Sequence, residues 1–171
     1  MKKEITMVSW VTVLAFTIAS ICFAGAVMAA DPAHTKSSSL SAQDKTFIKK
    51  AAKGGLMEVA MGNMAEQNAK SDDVKSFGKR MVTDHSKANE ELKGIAEKKG
   101  VTISDKEPTE KWTSDKTYMN AMVKDHEKDL SEFREEASKG SDPDVKKFAD
   151  DTAKVIQEHL DLAKETQNKL Q

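Results

Sequence analysis

The chain has 171 residues, with 38% hydrophobic, 32% charged, 5% aromatic, one cysteine and a formal net charge of −1. Such a length suits a single domain around one core. Acidic and basic residues interleave throughout, with no basic stripe and no cationic amphipathic helix, so neither a nucleic-acid partner nor a membrane-surface helix is expected.

The first segment reads as an address. Lys2 and Lys3 precede an apolar run from Met7 to Met28, which ends in "AVMAADP". Small residues before Asp31 and Pro32 predict a secretory signal peptide over residues 1–30, cleaved near Ala29-Ala30. The run is also long enough for a retained anchor, but Ser9, Thr12, Thr17 and Ser20 dilute it and its exit favours cleavage. Ile21 is too large for lipoprotein processing at Cys22. The mature chain is then periplasmic or secreted, without membrane insertion. It lacks cysteine and therefore any thiolate nucleophile or ligand. Loss of Lys2, Lys3 and Glu4 leaves 25 basic and 27 acidic residues.

Residues 31–40, "DPAHTKSSSL", read as a polar linker in which His34 is inert. From Ser41 to Gln171 the period is helical, and no stretch alternates as a strand would. The first helix is expected from Ala42 to Ala69, with Ser41 and Asp44 at its start. Its inward stripe is Phe47, Ala51, Gly54, Glu58, Met61 and Ala65. Ser71 caps the second helix, Asp72 and Asp73 favour its positive end, and Gly100 closes it. Its stripe is Val74, Phe77, Met81, His85, Ala88, Leu92 and Ile95. The segment from Gly100 to Ser114 contains Pro108 and is expected as a loop crossing one end of the bundle. A third helix follows from Asp115 to Ser138, striped by Met119, Met122, His126, Leu130, Phe133 and Ala137. Asp142 and Pro143 start the fourth, which carries Val145, Phe148, Thr152, Val155, His159 and Ala163. Two short turns and one longer connection predict an all-α fold, an antiparallel four-helix bundle of ferritin-like type.

Three of the four histidines close similar phrases: "MVTDH" at His85, "MVKDH" at His126 and "VIQEH" at His159. Each falls on an apolar stripe, as Glu58 does in the first helix. Every helix thus turns one ionisable side chain inward. The acids Asp84, Asp125 and Glu158 lie about 100° round and face outward, so the adjacent acid–histidine pairs are not dyads. Glu58 and His85 are nearly equidistant from their turn and are expected to face each other. His126 and His159 differ by about one helical turn and share a layer only if their hairpin is staggered.

Two readings follow. In one, Glu58, His85, His126 and His159 hold a metal, a ligand set suited to zinc or another divalent transition metal. In the other, they form a metal-free polar core that fixes the register of a structural or stress-related envelope protein. A copper(I) variant would use Met81 and Met122, four residues before their histidines. It is weakened if the second and third helices are antiparallel neighbours, which puts the two methionines on opposite sides of the histidines. Methionine is also an ordinary core filler. The di-iron carboxylate pattern fails, because Val82, Val123 and Ile156 occupy the positions three before each histidine. No catalytic residue is assigned, since no nucleophile turn or phosphate loop is present. An enzyme would require a metal with an open coordination position. Tyr118 is expected to anchor the crossing loop through its hydroxyl, and Trp112 to plug that loop.

The phrases "EVAMGNMA", "VKSFGKRMVTDH", Asp115 with Tyr118, "MVKDH" and the final "EHL" resemble domain-of-unknown-function family 4142. Its members are exported bacterial proteins, labelled outer membrane proteins and grouped with ferritin-like bundles. The resemblance spans roughly Asp44 to Leu162. It implies an exported four-helix bundle with recurring Glu and His positions at Glu58, His85, His126 and His159, but no activity. Two departures stand out: Ser114 replaces a phenylalanine common before the helical aspartate, and "TAKVIQEHL" lacks a proline common before the last histidine.

Overall fold

The computed structural model describes residues 40–106 and 108–170. The predicted signal peptide, the linker to residue 39, Cys22 and His34 lie outside the described residues. Four helices make up the fold: α1 Ala42–Asn68, α2 Asp72–Lys99, α3 Asp115–Lys139 and α4 Pro143–Lys169. No strand occurs among the described residues.

Caps set the boundaries. Ser41 and Asp44 form a capping box at the start of α1, which satisfies two otherwise unpaired donors. Gly100 ends α2 with φ of 67°, a left-handed conformation that glycine adopts without penalty. The Asp142 carboxylate accepts from the amides of Asp144 and Val145, with Pro143 at the first turn. Ser71 differs from expectation: its side chain makes no cap bond. Asp115 of α3 instead accepts from the Lys70 amide at 3.0 Å and the Ser71 amide at 2.7 Å. An acid from another helix thus ties down the α1–α2 turn.

Cross-helix pairs fix the topology. Gln43 bonds Glu136 and Lys50 pairs with Glu132, so the start of α1 lies beside the end of α3. Lys99 pairs with Asp142 and Lys169 with Asp73, so α2 and α4 also run oppositely. Within the hairpins, Gly62 meets Gly78, and Lys164 pairs with Glu127. Each helix therefore opposes both neighbours, while α2 and α3 sit diagonally and run the same way. Two expectations change as a result. The Gly100–Ser114 connection does not cross one end. It travels the length of the bundle, because α3 begins at the end opposite to the one where α2 stops. A helix of this size is roughly 40 Å long, and fifteen extended residues reach about 50 Å, so the loop suffices. Met81 and Met122 lie on the same side of the histidines, not opposite sides, and pack in one cluster with Met119, Phe77 and Tyr118.

In α1, Phe47, Glu58 and Ala65 are buried as expected, but the other three stripe positions shift by one residue. Ala52, Gly55 and Gly62 are buried, whereas Ala51, Gly54 and Met61 are half-buried. The cause is close approach to α2. A Cβ on Gly62 would sit 2.7 Å from the Gly78 carbonyl oxygen, and one on Gly78 would sit 2.7 Å from the Ala65 Cβ. Apolarity alone favours the larger residues; backbone contact selects the glycines.

Two apolar clusters fill the interior. One, near the start of α1, contains Phe47, Ile48, Leu92, Phe133, Phe148 and Ile156. The other, near the start of α2, contains Val74, Phe77, Met81, Tyr118, Met119 and Met122. Outside the first cluster, Asp44 accepts from the Ser141 hydroxyl and from its amide at 2.9 Å, locking the α3–α4 turn onto α1. Burial pushes Asp44 up, but those bonds prevail and hold its carboxyl well below the usual range. The glycine seam gives an opposed pair of expectations. Gly78→Ala should destabilise the fold by about 1–3 kcal/mol through overpacking. Gly94→Ala, where an added Cβ meets nothing within 4 Å, should stabilise it by about 1 kcal/mol. Urea titrations of both variants check the signs.

Candidate functional site

Between the two apolar clusters lies a polar layer of His85, His126, His159 and Glu58, exposed by 9, 1, 1 and 3%. The rings of His85 and His126 are 5.8 Å apart, those of His85 and His159 5.3 Å, and those of His126 and His159 5.5 Å. One ligand nitrogen from each histidine lies within 4.8 Å of the other two. His126 and His159 therefore do share a layer. The one-turn offset is absorbed by side-chain lean. Helical side chains tilt toward their own N-terminus. His126 tilts away from the α3–α4 turn and His159 toward it, which closes the gap.

The outer faces of two rings are held. His126 Nδ1 is 2.9 Å from the Met122 carbonyl oxygen, so Nδ1 carries the proton and Nε2 bears the lone pair. His159 Nε2 is 2.8 Å from Asp84 Oδ2, so Nε2–H donates and Nδ1 bears the lone pair. His126 Nε2, His159 Nδ1 and His85 Nε2 are all buried without a hydrogen-bond partner. Burial, reinforced by the neighbouring histidines, depresses His85 to about 3. Burial likewise lowers His126 to about 4, and it lowers His159 against the pull of Asp84. All three rings are neutral at neutral pH, with lone pairs available and no competing proton.

Asp84 is the residue that the sequence reading misplaced. It does not pair with its neighbour His85, as expected, but reaches across to α4 and orients His159. Arg80 steadies it at 3.2 Å and also bonds Glu158 at 2.7 Å. Burial opposes the charge on Asp84, yet the bonds from His159 and Arg80 hold its carboxyl below the ordinary value. The only local hint was an acid one residue before a histidine on a helix that also carries Arg80 one turn earlier.

Glu58 stands apart from the three nitrogens. Its Oε1 is 3.8 Å from His126 Nδ1, too long for a hydrogen bond, and that nitrogen already serves Met122. Glu58 Oε1 thus faces His126, and Glu58 and His85 line one cleft. Its Oε2 has no hydrogen-bond partner. Burial, aided by Asp129 and Asp125, raises Glu58 to about 8. The Tyr118 hydroxyl is likewise unpartnered and is raised by burial and by Glu58. It does not anchor the loop; its ring instead packs against Trp112 at 5.3 Å.

Comparison with known proteins agrees with this architecture. The family model described as Domain of unknown function (DUF4142) matches residues 29–166, and the chain belongs to that family. A solved structure titled "CopM in the Cu(II)-bound form" superposes with a TM-score of 0.62 at 13% identity, covering 75% of this chain and 97% of that one. At that identity the likeness concerns the fold. No curated protein matches the chain.

The raised Glu58 has a pH signature in the metal-free protein. Between about 4.5 and 8 an unfolded Glu58 is ionised while the folded one keeps its proton, so its contribution to stability declines as pH rises through that window. Glu58→Gln should gain on the wild type from pH 4.5 to 8, by on the order of 4 kcal/mol, and then level off. Denaturant midpoints across that range give the difference curve; parallel curves would contradict the assignment.

Proposed function

We propose that this DUF4142 member is an exported protein that binds one divalent transition-metal ion through His85, His126 and His159, with copper(II) the best-suited ion. The observation that carries the reading is three buried histidines whose ligand nitrogens lie within 4.8 Å of one another, each ring also carrying a buried nitrogen without a partner. A buried polar atom without a partner costs about 1–3 kcal/mol, and whole domains are stable by only about 5–15 kcal/mol. Three such atoms in one layer represent a heavy cost unless a shared ligand offsets it. Ligation at about 2.0–2.1 Å needs neighbouring nitrogens about 3.4 Å apart, so closure by up to about 1.4 Å from separations within 4.8 Å completes the site.

The donor set also bears on the ion. Neutral imidazoles suit copper, zinc, iron and nickel, and copper(II) stands highest among divalent ions for nitrogen ligands. Three ligands leave a further coordination position. The copper(II)-bound structural neighbour supports the same choice. Asp84 acts behind His159 as a carboxylate that fixes the ring and raises its basicity. The Met122 carbonyl does the corresponding work for His126. The apolar run at residues 7–28 supports export, where a mature chain without cysteine has no thiolate to offer a metal.

Copper(II) or zinc added to metal-free protein should bind at one equivalent. It should raise stability by about 2.7 kcal/mol when free metal is a hundredfold above Kd. His126→Ala should abolish the gain. Asp84→Asn should retain the stoichiometry and lose about 10–100-fold in affinity. Calorimetric titration with paired thermal melts measures both. Equal melting with and without either ion would refute the reading.

A further inference from the structure

Two grooves reach the histidine layer, and they differ in chemistry. The groove between α2 and α4 is lined by Arg80, Asp84, Glu158, His85 and His159. Its inner carboxylate, Asp84, is already bonded to His159 and Arg80. The cleft between α1 and α3, of about 500 Å³, also ends at His85. Its inner carboxylate is Glu58, which is 3% exposed and has a partnerless Oε2. Asp125 and Asp129 line the same cleft.

We infer that the α1–α3 cleft is the entry route for the cation, with Glu58 and Asp129 forming a carboxylate station that a divalent ion occupies before it passes to the three imidazoles. This rests on the histidine site proposed above. Three features support it. Glu58 lies at the floor of the cleft, with its carboxyl near His126. Asp129 projects toward α1, where its Oδ2 is 3.8 Å from the position of a Cβ on Gly54. Gly54 sits one turn before Glu58 and keeps the wall of the cleft open. The lysines pair with Glu132 and Asp129, not with Glu58. Lys50 pairs with Glu132 at 3.3 Å, and Lys128 lies 3.9 Å from both Glu132 and Asp129. An incoming divalent ion displaces the proton that Glu58 otherwise keeps, releasing it to solvent; the carboxylates then hold the hydrated ion weakly and the imidazoles hold it more tightly, so the gradient runs inward.

The station separates the rate of binding from its strength. The experiment is stopped-flow mixing of the metal-free protein with cobalt(II), whose visible spectrum reports coordination. Wild type, Asp129→Asn, Glu58→Gln and Gly54→Leu are compared, with circular dichroism confirming that each is folded. The Gly54 variant narrows the cleft at a position where an added Cβ makes only ordinary van der Waals contact; Gly54→Ala is the folded control. The expected result is slower association, by about tenfold in Asp129→Asn and Gly54→Leu, with one equivalent of cobalt still bound at the end and the same final spectrum. Raised salt should shrink the Asp129→Asn effect, as electrostatic steering requires. Unchanged association rates with normal one-equivalent binding would overturn the route and leave the histidine site standing. A weakened affinity at unchanged rate in Glu58→Gln would also overturn the station, making Glu58 a direct ligand instead. Absence of any cobalt spectrum in the wild type would overturn the histidine site and the route together.

Discussion

The structure turns on the cost of placing lone pairs in an apolar core. A four-helix bundle is normally continuous inside, yet here a polar layer separates one cluster around Phe47, Phe133 and Phe148 from another around Phe77, Met81 and Met122. Each half packs well by itself. The layer must be held at one height by all four helices, or its polar atoms face hydrocarbon. The ends of the bundle supply that control. Asp44 fastens the α3–α4 turn to α1, and Asp115 fastens the α1–α2 turn to α3. Both are carboxylates accepting backbone amides from a different hairpin, so they set the sliding register of one hairpin against the other. His126 and His159 meet because that register leaves them offset by about the amount that side-chain lean can absorb.

The topology matters as much as the register. Because α2 and α3 are diagonal and parallel, the repeated phrases MVTDH and MVKDH point the same way. Met81 and Met122 therefore occupy equivalent positions one turn from the layer, on the same side of it. The sequence repeat is a repeat in space as well. What enforces it is the long connection from Gly100 to Ser114. A short loop would make α2 and α3 antiparallel and would invert the second phrase relative to the first. The loop holds its place through Val101 and Ile103 against the first cluster and Trp112 against the second.

Much of this was legible from residues alone. Capping signals at Ser41, Gly100 and Asp142, together with helical periodicity, give the four helices to within a residue. The inward positions of Glu58, His85, His126 and His159 follow from the stripes. What periodicity cannot supply is the relation between helices. It places Asp84 about 100° from His85 and so outside, but a position outside one helix can be inside the groove beside the next. That is how Asp84 reaches His159. The same gap hides the shifted face of α1, where a glycine seam against Gly78 outweighs the apolar pull of Met61. It also hides the course of the long loop, because loop length permits crossing an end or running the full side. Only long-range pairs such as Lys99 with Asp142 distinguish the two.

Glu58 shows how position and role can separate. It lies in the layer with the histidines and shares their burial, yet its carboxyl faces the proton-bearing side of His126, where no lone pair is available. The three imidazoles bring ligand nitrogens within 4.8 Å of one another, and Glu58 and His85 both line the cleft between α1 and α3. A carboxylate in the ring of ligands would lower the charge of a bound divalent ion and hold it harder. In the binding proposed above, a carboxylate one step outside would leave an all-nitrogen set, which would favour ions such as copper(II) and discriminate against hard oxygen-seeking ions such as magnesium and calcium. Which nitrogen of His126 carries the proton decides which neighbour it serves. That choice is made by a single hydrogen bond, from Nδ1 to the carbonyl of Met122.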